Sequence, residues 1–287
     1  MENILPGLNM TTDEKVEKIQ EIIRLKITGV WEAAHTSDGH KYLNTKTGHR
    51  LVSVTTKLGG VLSKNHLMRW AVKMGILWLE KEDRWQKLSS DAWREEMISG
   101  AQLAHTDIRD EAGSVGTAAH SALERWINQG IADGQMPEDI TKFAVENADP
   151  RSIAAMRAGQ KLFKDKNIIP IASEILVGDI RYSAGQLDFL CLWDGELCLA
   201  DWKSSNQVSQ DYILQVVAYK KFFESMTGLK IKKIKIVLLN KDMDKYSIYK
   251  VGDFAGAWKA FKAVCAVYDW RMNKKSVLEK DIKRLAI

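Results

Sequence analysis

The chain has 287 residues, of which 45% are hydrophobic and 28% charged, and its net charge is +5. A chain of this length and composition can bury a full hydrophobic core, which excludes intrinsic disorder as its general state. The small excess of positive charge is compatible with an anionic partner but does not require one.

Three cysteines are present, Cys191, Cys198 and Cys265, and an odd number argues against a disulfide framework. We expect buried free thiols in a reducing compartment. No C-x-x-C pair occurs, so we predict neither a zinc site nor an iron–sulfur cluster. No window approaches eighteen apolar residues, and the first residues lack the pattern of a signal peptide. The sequence thus predicts a soluble protein without membrane contact, located in the cytoplasm.

The N-terminal region begins with an amphipathic helix predicted over residues 13–27, after a Thr12/Asp13 cap. Residues 31–56 carry Asp38-Gly39 and Thr47-Gly48 between short apolar runs, which predicts a small β-meander or hairpin. Three histidines in this stretch lack metal-site spacing and are interpreted as surface residues: His35, His40 and His49.

A tryptophan-rich helical region is predicted from Ser53 to about Arg109, because apolar residues recur there every three or four positions. A tryptophan stripe at this spacing is typical of a helix core, and the alternative is a platform on which nucleic-acid bases stack. Basic residues accompany the stripe and keep the second interpretation open: Lys57, Lys64, Arg69 and Lys73.

A further helix is predicted to open at Gly113–Thr117 and to run to about Gln129. His120 and Glu124 lie four residues apart and therefore share one face of it. Such a pair is ordinarily a surface ion pair, so its importance depends on acids elsewhere in the chain. We place the boundary between an N-terminal region, residues 1–112, and a second region, residues 113–287, at this point.

The second region predicts a mixed α/β (α+β) fold with a central mixed sheet flanked by helices. Asp194-Gly195 is a strong two-residue hairpin signal between two strands. The predicted strands are 171–177, 187–193, 197–202, 231–239 and 246–251, and the predicted helices are 151–166, 209–226 and 254–272. The basic stretch 274–284 is expected to be solvated.

The hairpin brings acidic residues together. Asp188 lies six residues before Asp194 and Asp201 lies six after Gly195, so the two carboxylates sit across from each other in a simple ladder. Glu174 is an acid in the preceding apolar strand. Carboxylates held this close repel unless a cation lies between them, and for oxygen ligands the usual cation is Mg²⁺ or Mn²⁺.

Lys203 joins this group, because side chains two apart in a strand point to the same face. Asp201 and Lys203 therefore project together, while Trp202 faces the other way. We expect Asp188 and Asp201 to ligate the metal with the backbone carbonyl of Trp202. An ammonium at this position offsets part of the charge of the carboxylates. Without the other acids, Asp201 and Lys203 would be interpreted as a cross-face ion pair.

The order of these motifs resembles the PD-(D/E)xK nuclease superfamily in its RecB-nuclease branch. Within that branch, the Asp-Trp-Lys-Ser and Leu-Gln-Val-Val-Ala-Tyr stretches look like the mitochondrial genome maintenance exonuclease and related phage exonucleases, as do residues 53–56 with the helix that follows. The chain departs from the pattern at Leu187, where the superfamily has proline, and it lacks the four cluster-binding cysteines of some relatives. The matching positions are His120/Glu124, Glu174, Gly185/Asp188, Asp201/Lys203 and Gln215/Tyr219.

The resemblance implies a restriction-endonuclease-like core over 113–287 and a metal-dependent nuclease in a bacterial or phage-infected cell. It implies His120 as a further metal ligand. It also implies that Lys203 lies beside the attacking water, where it offsets charge on the phosphate. Glu174 is assigned to a second metal or to orienting the water, and Glu124 to supporting the ligands. Gln215 and Tyr219 are assigned to positioning Lys203 or the substrate. The expected DNA contacts are Lys64, Arg69, Trp70, Lys73 and Ser204.

The resemblance also implies the substrate, which is DNA and in particular single-stranded ends threaded beneath a helical arch formed by residues 64–110. Two alternatives remain open. One is a structure-selective endonuclease or a nuclease of a recombination complex, and the other is a non-catalytic DNA-binding module on a nuclease fold.

Overall fold

The computed structural model of the chain describes residues 10–36, 39–62, 65–81 and 91–272. The protein is a mixed α/β structure with one five-stranded mixed sheet and one three-stranded antiparallel sheet. The strands are β1 (Trp31–Thr36), β2 (Gly39–Asn44), β3 (Arg50–Val52), β4 (Ile168–Asp179), β5 (Ser183–Trp193), β6 (Glu196–Lys203), β7 (Lys233–Leu239) and β8 (Tyr246–Lys250). The helices are α1 (Thr12–Lys26), α2 (Val54–Val61), α3 (Asn65–Lys81), α4 (Asp91–Asp133), α5 (Pro150–Asp165), α6 (Gln210–Thr227) and α7 (Phe254–Met272).

The large sheet has the strand order β4-β5-β6-β7-β8. All neighbours are antiparallel except β6 and β7, which are parallel and are joined through α6. The predicted hairpin between β5 and β6 is confirmed. Asp194 and Gly195 both have positive φ, 53° and 76°, as a two-residue primed turn requires.

Helices cover both faces of this sheet. On one face, α1, α2, α6 and α7 pack around a core that includes Phe222, Phe223 and Phe261. On the other face, α4 and α5 pack around a core that includes Trp126, Phe189 and Trp202. Because both faces are buried, β5 and β6 are apolar on both sides. Packing does not explain why these strands also carry buried polar residues.

The small sheet lies beside the β4–β5 end of the large one. Trp31 and Tyr42 are buried against Ala184 of β5. A Cβ on Gly178 of β4 would stand 2.7 Å from the Trp31 ring, so glycine permits this close packing. The N-terminal strands therefore form part of the wall next to the acidic residues.

The structure corrects the prediction that a helix opens at Gly113. Helix α4 is continuous from Asp91 to Asp133 and passes through Gly113 and Gly116 without a break. Gly116 serves another purpose, because a Cβ there would lie 2.5 Å from the Ser204 Oγ. The boundary drawn between residues 112 and 113 thus falls inside one helix, and the two-region division stays a prediction.

The other elements agree with the sequence pattern to within a few residues, and α7 agrees at both ends. The cap of α1 is Thr11, whose side chain accepts from the Glu14 N–H, rather than the predicted Thr12/Asp13. The three cysteines are buried free thiols, as predicted. No described helix is both long and apolar enough to span a bilayer.

The predicted tryptophan core is only partly seen. Trp70 and Trp78 are half-buried between α3 and α4, and the Trp70 ring meets the edge of His105 at 6.2 Å. Trp85, Lys64 and residues 274–284 lie outside the described residues, as does the side chain of Trp93.

Candidate active site

Three carboxylates stand in one row across the large sheet. The register of β4 with β5, and of β5 with β6, places Glu174, Asp188 and Asp201 at the same level on three adjacent strands. The expected opposition of Asp188 and Asp201 is therefore present in the fold. Glu174 extends the row by one strand.

Glu174 has an unusual backbone. Its φ is 51°, in the left-handed region that residues with a Cβ rarely adopt, and β4 has a bulge a few residues earlier, between Pro170 and Ala172. Its carbonyl accepts a hydrogen bond from the Gln186 Nε2 at 3.3 Å. Strain of this kind is typical of functional sites, where a strand must aim a side chain away from its regular direction.

Asp188 is held by the neighbouring strand and faces helix α4. Its Oδ2 accepts a hydrogen bond from the Trp202 N–H at 2.8 Å and lies 3.9 Å from the His120 Nδ1. The Trp202 ring stacks on Phe189 in the core, with 5.5 Å between ring centroids. The structure thus brings His120 to the acidic row, whereas ligation by the Trp202 carbonyl stays a prediction.

Asp201 is the most deeply buried acid of the row, with a side chain that is 0% exposed. The Lys203 Nζ lies 2.5 Å from its Oδ2, which confirms that the two side chains share a face. That contact lacks hydrogen-bond angles, and neither carboxylate oxygen has a hydrogen-bond partner among the described residues. A buried carboxylate that is paired with one ammonium but lacks hydrogen bonds from other described residues is costly to bury, which favours a role for it other than stability.

Helix α6 covers the row from the other side. The Gln215 Nε2 donates to the Tyr219 hydroxyl at 3.2 Å, and both side chains are buried. The Tyr219 ring packs on Gly185 so closely that a Cβ there would lie 2.5 Å from the Tyr219 Cε1. Gly185 is therefore needed to let the tyrosine reach β5.

We expect Gly185→Ala to lower the free energy of unfolding by about 1–3 kcal/mol, because the added methyl group overlaps the buried Tyr219 ring. Chemical denaturation would measure the change. Gly195→Ala, at a turn glycine with no atom within 4 Å of an added Cβ, is a comparison that strains the backbone without creating a clash. A Gly185→Ala protein as stable as the wild type would contradict the close packing.

The ionisation of the row reflects burial and mutual repulsion. Burial, followed by the charges of Asp188, Glu124 and Asp201, raises the pKa of Glu174 to about 8. Burial likewise raises the pKa of Asp201 to about 6, and that of Asp188 also rises. Each carboxyl is thus easier to protonate than usual, as expected where anions lack enough positive charge.

The two basic side chains of the site, His120 and Lys203, have pKa values shifted in opposite directions. Burial and the nearby Lys203 ammonium lower the pKa of His120 to about 4, so its imidazole is neutral near pH 7 and able to bind a metal. Burial opposes charge on Lys203 too, yet Asp201 and Asp188 outweigh it and raise the pKa of this amine. Lys203 is the one full positive charge in contact with Asp201 within the described part of the chain.

This donor set fits a hard divalent cation. Three carboxylates and a neutral imidazole lie near one another, and the two buried oxygens of Asp201 lack hydrogen bonds from the described residues. The Lys203 ammonium contacts one of these oxygens, the Oδ2. Among the described residues, no group of three His, Cys, Asp or Glu side chains is already arranged to hold a metal ion. Binding a cation through the Asp201 Oδ2 would therefore require the lysine to move off that oxygen.

A cleft with a volume of about 1870 Å³ opens above the row, between the α3–α4 pair and the end of the large sheet. Of the predicted DNA contacts, Trp70 and Ser204 line it. Arg69 and Lys73 are exposed on α3 but do not line the cleft, and Lys64 lies outside the described residues. The cleft thus joins the helical N-terminal region to the acidic row.

The sequence interpretation missed several lining residues: Tyr42, Arg109, Tyr212 and Lys241. Tyr212 could have been found, because it precedes Gln215 and Tyr219 by three and seven positions and so shares their helix face. Tyr42 comes from the small sheet, whose docking no local pattern predicts.

Comparison with protein-family models and with curated proteins found no match. The superfamily resemblance of the motifs therefore stays a prediction. The structure itself provides a mixed α/β protein whose large cleft has a strained, acid-rich floor next to Lys203.

Proposed function

We propose that the protein is a divalent-metal-dependent deoxyribonuclease with a restriction-endonuclease-like core, in the PD-(D/E)xK superfamily, and that it acts as an exonuclease on single-stranded DNA ends. The observation that carries this proposal is the row of Glu174, Asp188 and Asp201 beside Lys203 at the floor of the cleft. A stable fold gains nothing from three crowded carboxylates, so a functional role is the better explanation.

In this proposal Asp188, Asp201 and His120 hold Mg²⁺ or Mn²⁺, and Glu174 binds a second cation or orients the water. A bound divalent cation supplies Lewis acidity toward the phosphate and lowers the pKa of a water. Lys203 offsets charge on the phosphate through its ammonium group. Gln215 and Tyr219 fix one wall of the site through their hydrogen bond and the contact with Gly185.

The walls of the cleft support an unpaired strand as substrate. The α3–α4 side carries Trp70 with the exposed apolar residues Leu67, Met68 and Ile108, against which base faces can pack. Lys241 lies in the same cleft and can contact phosphates. Leu67, Met68 and Ile108 cannot read base edges by hydrogen bonding, so the contacts on this side of the cleft are expected to be independent of sequence.

The test is digestion of a linear single strand and of the same strand closed into a circle, each with Mg²⁺ or Mn²⁺ and with a chelator. We expect the linear strand to be shortened only with the metal and the circle to stay intact, because an exonuclease needs an end. Cutting of the circle would favour the endonuclease alternative. Binding of both strands without cleavage in any metal would favour the DNA-binding module.

A further inference from the structure

Lys203 contacts a carboxylate and an aromatic ring in the site. Its Nζ lies 2.5 Å from the Asp201 Oδ2 and 5.0 Å from the centroid of the Tyr212 ring. The lysine side chain is 14% exposed, so little water competes with these contacts. An ammonium within about 6 Å of a ring centroid is attracted by the ring, and the attraction strengthens as water is excluded.

Tyr212 is well placed to hold this position. It lies in the first turn of α6, where its N–H donates to the Ser209 carbonyl at 3.2 Å. Its ring packs partly against the core and partly lines the cleft. The sequence interpretation assigned the positioning of Lys203 to Gln215 and Tyr219, but the hydrogen bond of Gln215 goes to Tyr219. The ring that meets the lysine belongs to Tyr212.

A cation at Asp201 would compete with Lys203, because the ammonium already lies on the Oδ2. Two positive charges cannot share that oxygen without strong repulsion in a buried site. A cation that binds the Oδ2 therefore displaces the ammonium from that oxygen. An aromatic face suits the displaced lysine, because it attracts an ammonium but offers no anionic oxygen that would bind the incoming cation instead.

We propose that Tyr212 is a positioning residue for Lys203, and that its ring keeps the ammonium at the edge of the acidic row when a divalent cation takes over Asp201. This inference rests on the proposed metal-dependent function. Without the ring, the displaced ammonium loses its aromatic partner, so the lysine stays on the Asp201 Oδ2 and opposes the cation. Tyr212 thus affects metal binding and catalysis only through Lys203.

The experiment measures Mn²⁺ binding by calorimetry and single-turnover cleavage of a linear single strand. The proteins are the wild type, Tyr212→Phe and Tyr212→Leu, each with Lys203 and with Lys203→Met. With Lys203 present, Tyr212→Leu is expected to weaken Mn²⁺ binding and to slow cleavage by about fivefold each, the size of one partly buried cation–π contact. Tyr212→Phe keeps the ring and should stay within about twofold of the wild type. In the Lys203→Met protein, Tyr212→Leu should leave Mn²⁺ binding unchanged.

Several results would overturn the proposal. One is a Tyr212→Leu protein that equals the wild type in both measurements. Another is a Tyr212→Leu substitution that weakens Mn²⁺ binding equally in the Lys203→Met protein, which would mean a general structural effect. A Tyr212→Phe protein as impaired as Tyr212→Leu would assign the effect to the hydroxyl group. Tyr212→Met replaces Tyr212→Leu if the latter has a lower unfolding midpoint. A wild type that binds no Mn²⁺ overturns the proposed function as well, whereas normal wild-type binding with no effect of Tyr212 overturns this inference alone.

Discussion

Asp188→Asn and Asp201→Asn are each expected to slow cleavage of single-stranded DNA by about 10³-fold or more, a loss of about 4 kcal/mol of transition-state stabilisation. Asparagine has nearly the shape of aspartate and can still accept the Trp202 N–H at position 188. It lacks the charge that binds a divalent cation. Single-turnover digestion of an end-labelled strand in Mn²⁺ would measure the rate, and fluorescence anisotropy of the same strand would show that binding persists.

Glu196→Gln is the matched control. Glu196 lies at the other end of β6, where its Oε2 is 2.9 Å from the Lys233 Nζ and its side chain is 51% exposed. The substitution removes the same charge from the same strand, far from the cleft, so cleavage should be unchanged. Normal cleavage by either aspartate variant would show that the acidic row is not the catalytic site.

Glu174→Gln is expected to stabilise the metal-free protein by about 1–3 kcal/mol near pH 8.5 and much less near pH 5. The pKa of Glu174 is about 8 in the folded protein, against 4.5 for an unperturbed group. The folded state therefore binds a proton that the unfolded state has lost, and stability falls as pH rises between these values. Glutamine does not titrate, so the stability of the variant does not decrease with pH for this reason.

Thermal unfolding of the wild type and Glu174→Gln across this pH range, with and without Mg²⁺, would measure the effect. His120, whose pKa is lowered, contributes a slope of opposite sign between about pH 4 and 6.5, but it does so in both proteins. Mg²⁺ should recover much of the lost stability of the wild type near pH 8.5. A wild type whose stability does not decline relative to the variant would mean that Glu174 is not crowded by its neighbours.

Much of the large sheet followed from local sequence. The Asp194-Gly195 pair sets the turn, and a two-residue turn sets the register, so the opposition of Asp188 and Asp201 was predictable by counting. Lys203 was predicted to lie beside Asp201 because side chains two residues apart in a strand point to the same face. These features depend on residues that are close in the chain.

What the sequence did not predict depends on distant contacts or on backbone detail. Gly116 was interpreted as part of a helix start, whereas it allows Ser204, from the end of β6, to approach an unbroken helix. The positive φ of Glu174 has no local signal, because the residue is neither glycine nor asparagine. The spacing within α6 places Tyr212 on the face of Gln215 and Tyr219, but its contact with Lys203 crosses the β6–α6 loop, and that contact has no local signal.

The continuity of α4 ties the width of the cleft to the geometry of its floor. At 1.5 Å per residue, 43 residues form a rod about 65 Å long. The N-terminal, outer half of α4 places His105 beside the cleft. In the C-terminal half, His120 lies close to Asp188 and Trp126 is buried in the core. A ligand that displaces the outer turns of α4 is therefore expected to move the His120 imidazole as well, because both belong to one continuous helix that is anchored in the core.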